Sequence, residues 1–506
     1  MVKNQRKAGV VLSYAGQAVQ ILTGLIYTPI MLRLLGQSEY GLYQLVYSVV
    51  SYLGLLSLGF NASYMRFYSR EKAIDNEEGI AKLNGMFMLI FVVIAMICVI
   101  SGIIMITNIE GIFEDGITSE EYSKARVLMM LMVFNLALTF PNSVFTCIIT
   151  SQERFVFQKA LILLQALLNP FLALPMLLMG YGSVGMVAVT TILTVAVFIS
   201  NAIFSIKKLG ARFKYKGLEF KLLKEMWAFT FFIFLNQIID QINWSIDKFL
   251  LGRISGTISV AVYSVGGQIN SMYLQFSTSI SNVFVPQVNR IVAEKNDDHE
   301  LTNIFIKVGR VQFMVLSLIM TGFIYFGNSF INLWTGQGYS ESYYVAILLI
   351  VPVTIPLIQN IGIEIQRAKN KHKARSIVYF IIAIANIFIS IPLINILGTV
   401  GAAIGTAISL IVGNVLFMNW YYYRKLNINI PLFWKSMICF IPTLLITAIF
   451  GVLSMVFISF DTWLSFGIGV VVYCCIFVAI LYFTGMNEDE KLILKRIKNR
   501  IFRSGK

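Results

Sequence analysis

Four long apolar runs carry polar side chains spaced to share a helical face. Over 226–250, Asn236, Asp240, Asn243 and Asp247 recur at intervals of four, three and four, which makes one stripe on a helix. Gln237, Gln241, Trp244 and Lys248 form the adjacent stripe. Over 258–285 the same rhythm sets out Ser264, Gln268, Ser271, Gln275, Thr278 and Asn282. Residues 8–32 offer Ser13, Gln17, Gln20, Gly24 and Tyr27, and residues 41–65 offer Tyr43, Tyr47, Ser51 and Asn61. A carboxylate at mid-bilayer costs roughly 2.5–3.5 kcal/mol, so a stripe holding Asp240 must face a protein interior or a wet cavity. Two chemistries suit such faces. Amides and hydroxyls can join helices to one another. Ionisable groups at that depth serve transport, and Asp240 lies near the middle of its run.

Charged residues cluster at the ends of these runs. Asp247, Lys248 and Arg253 stand near the outer end of 226–250, either as a structural ion pair or as functional groups. Arg33 closes 8–32 and Arg66 closes 41–65, and both also suit snorkelling anchors. Glu364 and Arg367 end the run 343–365 and can pair as a cytoplasmic gate, with Arg66 a further candidate.

Enzyme chemistry finds no foothold. The sequence has no P-loop, no nucleophile elbow and no histidine-based dyad, so the chain reads as a non-enzyme. His299 and His372 stand alone in basic loops. Cys98, Cys147, Cys439, Cys474 and Cys475 lie inside apolar runs without metal-type spacing. Neither a metal site nor a disulfide framework is expected. Gly398, Gly401 and Gly405 suit close helix packing better than phosphate binding. No cofactor is expected. Uphill movement must therefore draw on a Na⁺ or H⁺ gradient or on the membrane potential.

The elements that position these faces follow from composition. Of 506 residues, 57% are hydrophobic and 13% charged, with a mean hydropathy of +0.76. A soluble domain carries about 25% charged residues, so lipid must solvate most of this chain. The net charge of +15 is no nucleic-acid footprint, because the basic residues sit between apolar runs. Runs near the length of a bilayer crossing fall at 8–32, 41–65, 83–107, 127–150, 157–179, 184–206, 226–250, 258–285, 308–328, 343–365, 376–396, 400–422, 436–458 and 463–485. Only helices satisfy the backbone in lipid, so the expected fold is an all-α polytopic membrane protein of about fourteen transmembrane helices. The N-terminal run is too long for a signal peptide and has no cleavage site, so it reads as a retained first helix.

Alternate loops are basic, at 66–82, 154–159, 207–224, 290–310, 367–375 and 424–435. Both ends of the chain belong with them, whereas the 108–123 loop is acidic. The positive-inside rule then places both termini in the cytoplasm, as expected of a bacterial inner-membrane protein. Asn487 with Glu490 starts a last helix like a capping box. Ile493, Ile497 and Ile501 continue as one apolar face among basic residues, an amphipathic tail for the anionic inner leaflet.

The chain also repeats itself at an offset of about 216 residues. Leu34-Leu35-Gly36 recurs as Leu250-Leu251-Gly252, and Pro141 as Pro356. Asn169 and Pro175 recur as Asn386 and Pro392, and Gly182-Ser183-Val184-Gly185 as Gly398-Thr399-Val400-Gly401. Two six-helix copies in the same orientation follow, related by an axis along the membrane normal, with a substrate site between them. The expected division is an N-lobe at 1–206, a basic linker at 207–225 and a C-lobe at 226–422. Two further helices at 423–485 and the tail at 486–506 complete it.

The segment Arg33-Leu-Leu-Gly-Gln-Ser-Glu-Tyr-Gly-Leu-Tyr43 resembles the turn after the first helix of polysaccharide repeat-unit (O-antigen and capsule) flippases. These belong to the multidrug/oligosaccharidyl-lipid/polysaccharide exporter superfamily. Leu58-Gly59-Phe60 with Arg66-Phe67-Tyr68 is similar to the end of the family's second helix. Asp247-Lys-Phe-Leu-Leu-Gly252 with Tyr263-Ser264 is similar to its seventh-to-eighth helix junction. The resemblance implies a V of two lobes around a cavity lined by helices 1, 2, 7 and 8. It implies movement of an undecaprenyl-pyrophosphate-linked oligosaccharide to the outer leaflet by alternating access. Arg33, Lys248 and Arg253 would meet the pyrophosphate, and the polar stripes would meet sugar hydroxyls. Asp240 and Asp247 would bind Na⁺ or H⁺, or cationic groups on an amino sugar. The implied partners are the lipid-linked oligosaccharide, membrane lipids, and the polysaccharide polymerase and glycosyltransferases of the same assembly line. Other readings are a cation-coupled drug or metabolite antiporter of the same superfamily, a peptidoglycan-precursor flippase, and a polysaccharide polymerase or ligase. The last usually carries a large outer loop with catalytic basic residues, and the outer loops here are short.

Overall fold

Several helices in this chain begin where a side chain caps them, and two of the longest break where a glycine takes over the backbone. The structure, a computed structural model, describes every residue except Met1, Leu58, 218–219, 295–296, Asn370, His372 and 493–506. Its helices are α1 (Val2–Ser51), α2 (Phe60–Ala73), α3 (Glu77–Thr107), α4 (Ile109–Phe113), α5 (Ser119–Ser151) and α6 (Phe155–Leu178). They continue with α7 (Gly182–Ile203), α8 (Phe220–Ser255), α9 (Thr257–Glu294), α10 (Asp298–Thr335), α11 (Glu341–Ile358) and α12 (Ile361–Ala368). The last are α13 (Lys373–Leu410), α14 (Met418–Leu426), α15 (Ile430–Ile438), α16 (Ile441–Phe457) and α17 (Trp463–Thr484). No strand occurs among the described residues.

Asn76 caps α3 by accepting from the Gly79 amide, and Thr118 with Glu121 forms a full capping box on α5. Within α1, Gly36 takes φ +75°, and within α13, Gly398 takes φ +56°. That left-handed conformation suits glycine and bends each long helix into two segments. Gly182, the repeat partner of Gly398, takes φ +58° at the head of α7. The two copies of the motif therefore share a backbone state as well as a sequence.

Among the described residues nine helical stretches are long and apolar enough to cross a membrane, or ten with the bent pair Ile430–Ile438 and Ile441–Phe457 taken as one span. The fourteen runs of the sequence reading differ from that count for identifiable reasons. Ala15–Ser57 and Ala374–Leu426 each count once although a glycine breaks them inside. The helices α8 and α9, which carry the polar stripes, are outside the nine. Regularly spaced amides and carboxylates lower their apolar character. The surface agrees with a lipid solvent: Phe457 and Phe483 are each 78% exposed and Leu464 75%.

The chain divides into two compact units, Met1–Ser264 with Ala383–Ala402, and Val265–Ile382 with Ala403–Lys506. In the first, Phe60 and Tyr64 pack edge-on against Phe87. Tyr64 donates to Asn84 Oδ1 at 2.6 Å, and Asn84 donates to the Arg212 carbonyl at 3.0 Å. The basic linker thus runs along α3, with Lys214 N bonded to the Ala81 carbonyl at 2.9 Å.

In the second unit Phe305 sits between Tyr422 and Phe433. Arg310, which the sequence groups with the loop cations, is only 5% exposed. Its guanidinium donates to both Glu490 oxygens, at 2.7 and 2.8 Å, and to the Gly485 carbonyl at 2.9 Å. It lies over the Phe440 ring at 4.6 Å. Asn487 and Glu490 exchange the two capping-box bonds expected of them, at 2.9 and 3.0 Å. The rest of the expected tail, with Ile493, Ile497 and Ile501, lies outside the described residues.

Candidate functional site

Beyond the Gly36 break, Tyr40, Gln44, Ser48 and Ser51 follow one another along α1 at near-helical spacing, and Gln44 and Ser51 bond to polar groups of α8. Gln44 sits at the centre of this seam. Its amide nitrogen donates to Tyr40 Oη at 3.0 Å, and its oxygen accepts from Lys248 Nζ at 3.2 Å. Two turns further along, Gln241 donates to Ser51 Oγ at 2.5 Å and to Ser245 Oγ at 2.8 Å. Tyr43 and Tyr47 stack with centroids 6.5 Å apart, and Tyr47 is 53% exposed.

The charged triplet at the end of α8 resolves into three separate contacts. Asp247 is 1% exposed and accepts from Tyr263 Oη at 2.5 Å. Arg253 is exposed and pairs with Glu114. Lys248 reaches the neutral Gln44 amide and, among the described residues, forms no ion pair within 4.0 Å. A neutral amide compensates a partly buried ammonium less than a carboxylate would.

Tyr27 Oη, Tyr52 Oη and Gln237 Oε1 are among the buried polar atoms of this unit that have no hydrogen-bond partner among the described residues. Buried polar atoms are generally satisfied, so such atoms mark places where water or a ligand is bonded. Tyr52 lies within electrostatic reach of Asp247, and Tyr27 of Tyr43.

The other sequence candidates are distributed as follows. Gln17 and Asn243 are half-buried, and Gln20 and Arg33 are exposed. Asn61 is exposed and accepts from Cys147 Sγ at 3.7 Å. The backbone of Asn236 and Asp240 lies in α8, and their side chains fall outside the described residues. In the second unit, Gln268 is half-buried and Gln275 Oε1 is buried without a protein partner. Ser271 and Thr278 bond back to carbonyls of their own helix, at 2.9 and 3.3 Å, as packing residues do. Glu364 and Arg367 form the expected pair at 2.6 Å, three residues apart on α12. Arg66 is exposed in the middle of α2.

Sequence reasoning missed Tyr40, Gln44 and Tyr52 as members of the seam. The signal was present in the spacing Tyr40, Gln44, Ser48, which continues the face through Ser51. It was hidden because these residues fall where an apolar run was just beginning.

Residues 7–292, more than half of the chain, match the family described as "Polysaccharide biosynthesis protein". The chain belongs to this family. The match spans α1 to α8 and nearly all of α9, so it includes the whole polar seam. Among relatives of this polysaccharide biosynthesis protein, a putative O-antigen transporter of Shigella flexneri is 21% identical over 433 residues, 82% of this chain and 96% of the relative. An uncharacterized membrane protein of Bacillus subtilis (strain 168), EpsK, is 20% identical over 485 residues, 93% of this chain and 94% of its own length.

Solved structures share the fold. The lipid II flippase MurJ, in an inward closed conformation, superposes with a TM-score of 0.73 at 16% identity, over 93% of this chain and 98% of that one. An inward-facing multidrug resistance MATE family transporter of the MOP superfamily reaches 0.67 at 15% identity, over 83% and 99%. This family member is thus a multi-pass membrane protein that shares its fold with those solved flippases and transporters.

Proposed function

We propose that this protein moves an undecaprenyl-pyrophosphate-linked oligosaccharide from the inner to the outer leaflet of the bacterial cytoplasmic membrane, by alternating access, for surface polysaccharide assembly. The observation that carries this reading is the chemistry of the α1–α8 seam. Lys248 offers an ammonium whose one described partner is an amide, while its neighbour Asp247 is engaged by Tyr263. A free cation among amides and phenols suits a phosphate group followed by sugar hydroxyls. The family description and the O-antigen transporter relative support the same substrate class.

In this reading both termini are cytoplasmic, because the basic loops fall on the side of the ends. Transport draws on a Na⁺ or H⁺ gradient or on the membrane potential. Deleting the gene tests the substrate class. Lipid-linked oligosaccharide should accumulate in the inner leaflet and surface polysaccharide should be lost. Normal surface polysaccharide with new drug sensitivity would favour the antiporter instead. Loss of cell-wall synthesis would favour a peptidoglycan-precursor flippase.

A further inference from the structure

The acidic segment 108–123 is a folded cap rather than a solvated loop. Ile109 and Phe113 are fully buried and Ile117 is 7% exposed, while α4 and a 3-10 turn shape the backbone between them. Two of its glutamates, Glu121 and Glu114, reach residues beside the segments that recur in the internal repeat. Glu121 Oε1 accepts from Ser38 Oγ at 2.5 Å, two residues past Gly36. The same oxygen accepts from Thr257 Oγ1 at 3.0 Å, five residues past Gly252. Its other oxygen, Oε2, accepts from the Thr118 amide at 2.8 Å and so is fixed by the cap of α5. Glu114 holds Arg253 from the same cap.

We propose that Glu121 is the keystone of an outer latch, which joins the two repeat turns in this state and releases them during each transport cycle. The proposal rests on the flippase reading given above. It stands on three features of the junction. First, one carboxylate oxygen bridges the two turns directly, and Ser38 and Thr257 approach each other to 3.4 Å. Second, the backbones meet without side chains between them. A Cβ on Gly41 would fall 1.9 Å from the Thr257 carbonyl oxygen, and one on Gly116 would fall 2.0 Å from that of Gly252. The seam is therefore close, and Gly252 leaves room in it for the buried Leu45 side chain. Third, its bonds are reversible in kind. Ser38 is exposed and Glu121 half-buried, so water can take over each bond as the turns part. The Arg310–Glu490 joint of the second unit is the contrast: a two-point ion pair with side chains 6% and 14% exposed, built to stay shut.

Cysteines at the two bridged positions test the latch in the full-length protein in membranes, with the five native cysteines replaced and export by that background confirmed. Oxidation of Ser38→Cys with Thr257→Cys by copper phenanthroline should abolish export, and a reductant should restore it. Export that continues unchanged in the oxidised protein would show that the turns never part, and would overturn the proposal. A second arm does not depend on the substrate. A reporter cysteine at Ser51, labelled from outside by a membrane-impermeant maleimide, should react faster in Glu121→Gln than in the parent and should be protected by the crosslink. Labelling indifferent to both changes would overturn the latch even if the protein flips a lipid-linked sugar. Conversely, a response in this arm with no accumulation of lipid-linked oligosaccharide on gene deletion would leave the latch standing and remove the flippase reading.

Discussion

Lys248 decides more than any other side chain how this protein is read. Its sequence neighbours, Asp247 and Arg253, offer it an obvious ion pair or a shared role, and the structure gives each a different partner. Spacing alone places a cation beside a carboxylate. Only the fold says that Tyr263, sixteen residues on, occupies the carboxylate. Lys248→Gln removes the charge and keeps a hydrogen-bonding head. A hydrogen bond to a charged group is worth about 1.5–3 kcal/mol, so export should fall roughly ten- to hundredfold. Expression and melting temperature should hold, because no ion pair is broken. Lys248→Arg should recover part of the export, measured as surface polysaccharide per unit of protein. Wild-type export by Lys248→Gln would return the residue to packing. Asp240, near the middle of its apolar run, has its backbone in α8.

At the scale of elements, the apolar runs were legible and the breaks within them were less so. A run of lipid-soluble residues announces a helix, but the left-handed glycine that bends it has the same letter as any other glycine. Gly36 and Gly398 could be flagged only because each belongs to a motif that recurs. Gly398→Ala should destabilise the fold by about 1–2 kcal/mol, the usual penalty for forcing a Cβ into that conformation. Thermal unfolding in detergent measures it, and an unchanged midpoint would mean that the bend is not held at φ +56°.

Arg310 shows where charge patterning fails. It counts as a loop cation by position, yet it fastens α10 to the carbonyls of Ser436 and Gly485 and to Glu490. Arg310→Met alone should cost about 3–5 kcal/mol by stranding Glu490, and adding Glu490→Leu should recover much of it. Equal melting temperatures for the single and double variants would mean the pair is not coupled. The acidic cap at 108–123 was likewise read by its charge, and its buried Ile109 and Phe113 were too few to outvote five acids.

At the scale of the whole molecule, composition and loop charge were enough to name a multi-pass membrane protein, and the repeat was enough to suggest a transporter. What composition cannot supply is the cargo, because the same fold serves flippases and drug exporters. The family match supports a role in polysaccharide biosynthesis, and the phosphate-linked sugar is our proposal for the cargo. The direct test is reconstitution. Purified protein would be placed in liposomes with a labelled undecaprenyl-pyrophosphate-linked oligosaccharide, under an imposed ion gradient and membrane potential. Our account predicts protein-dependent transfer of the labelled headgroup across the bilayer, strongly reduced by Lys248→Gln. Transfer no faster than in protein-free liposomes, with uptake of a cationic drug instead, would contradict it.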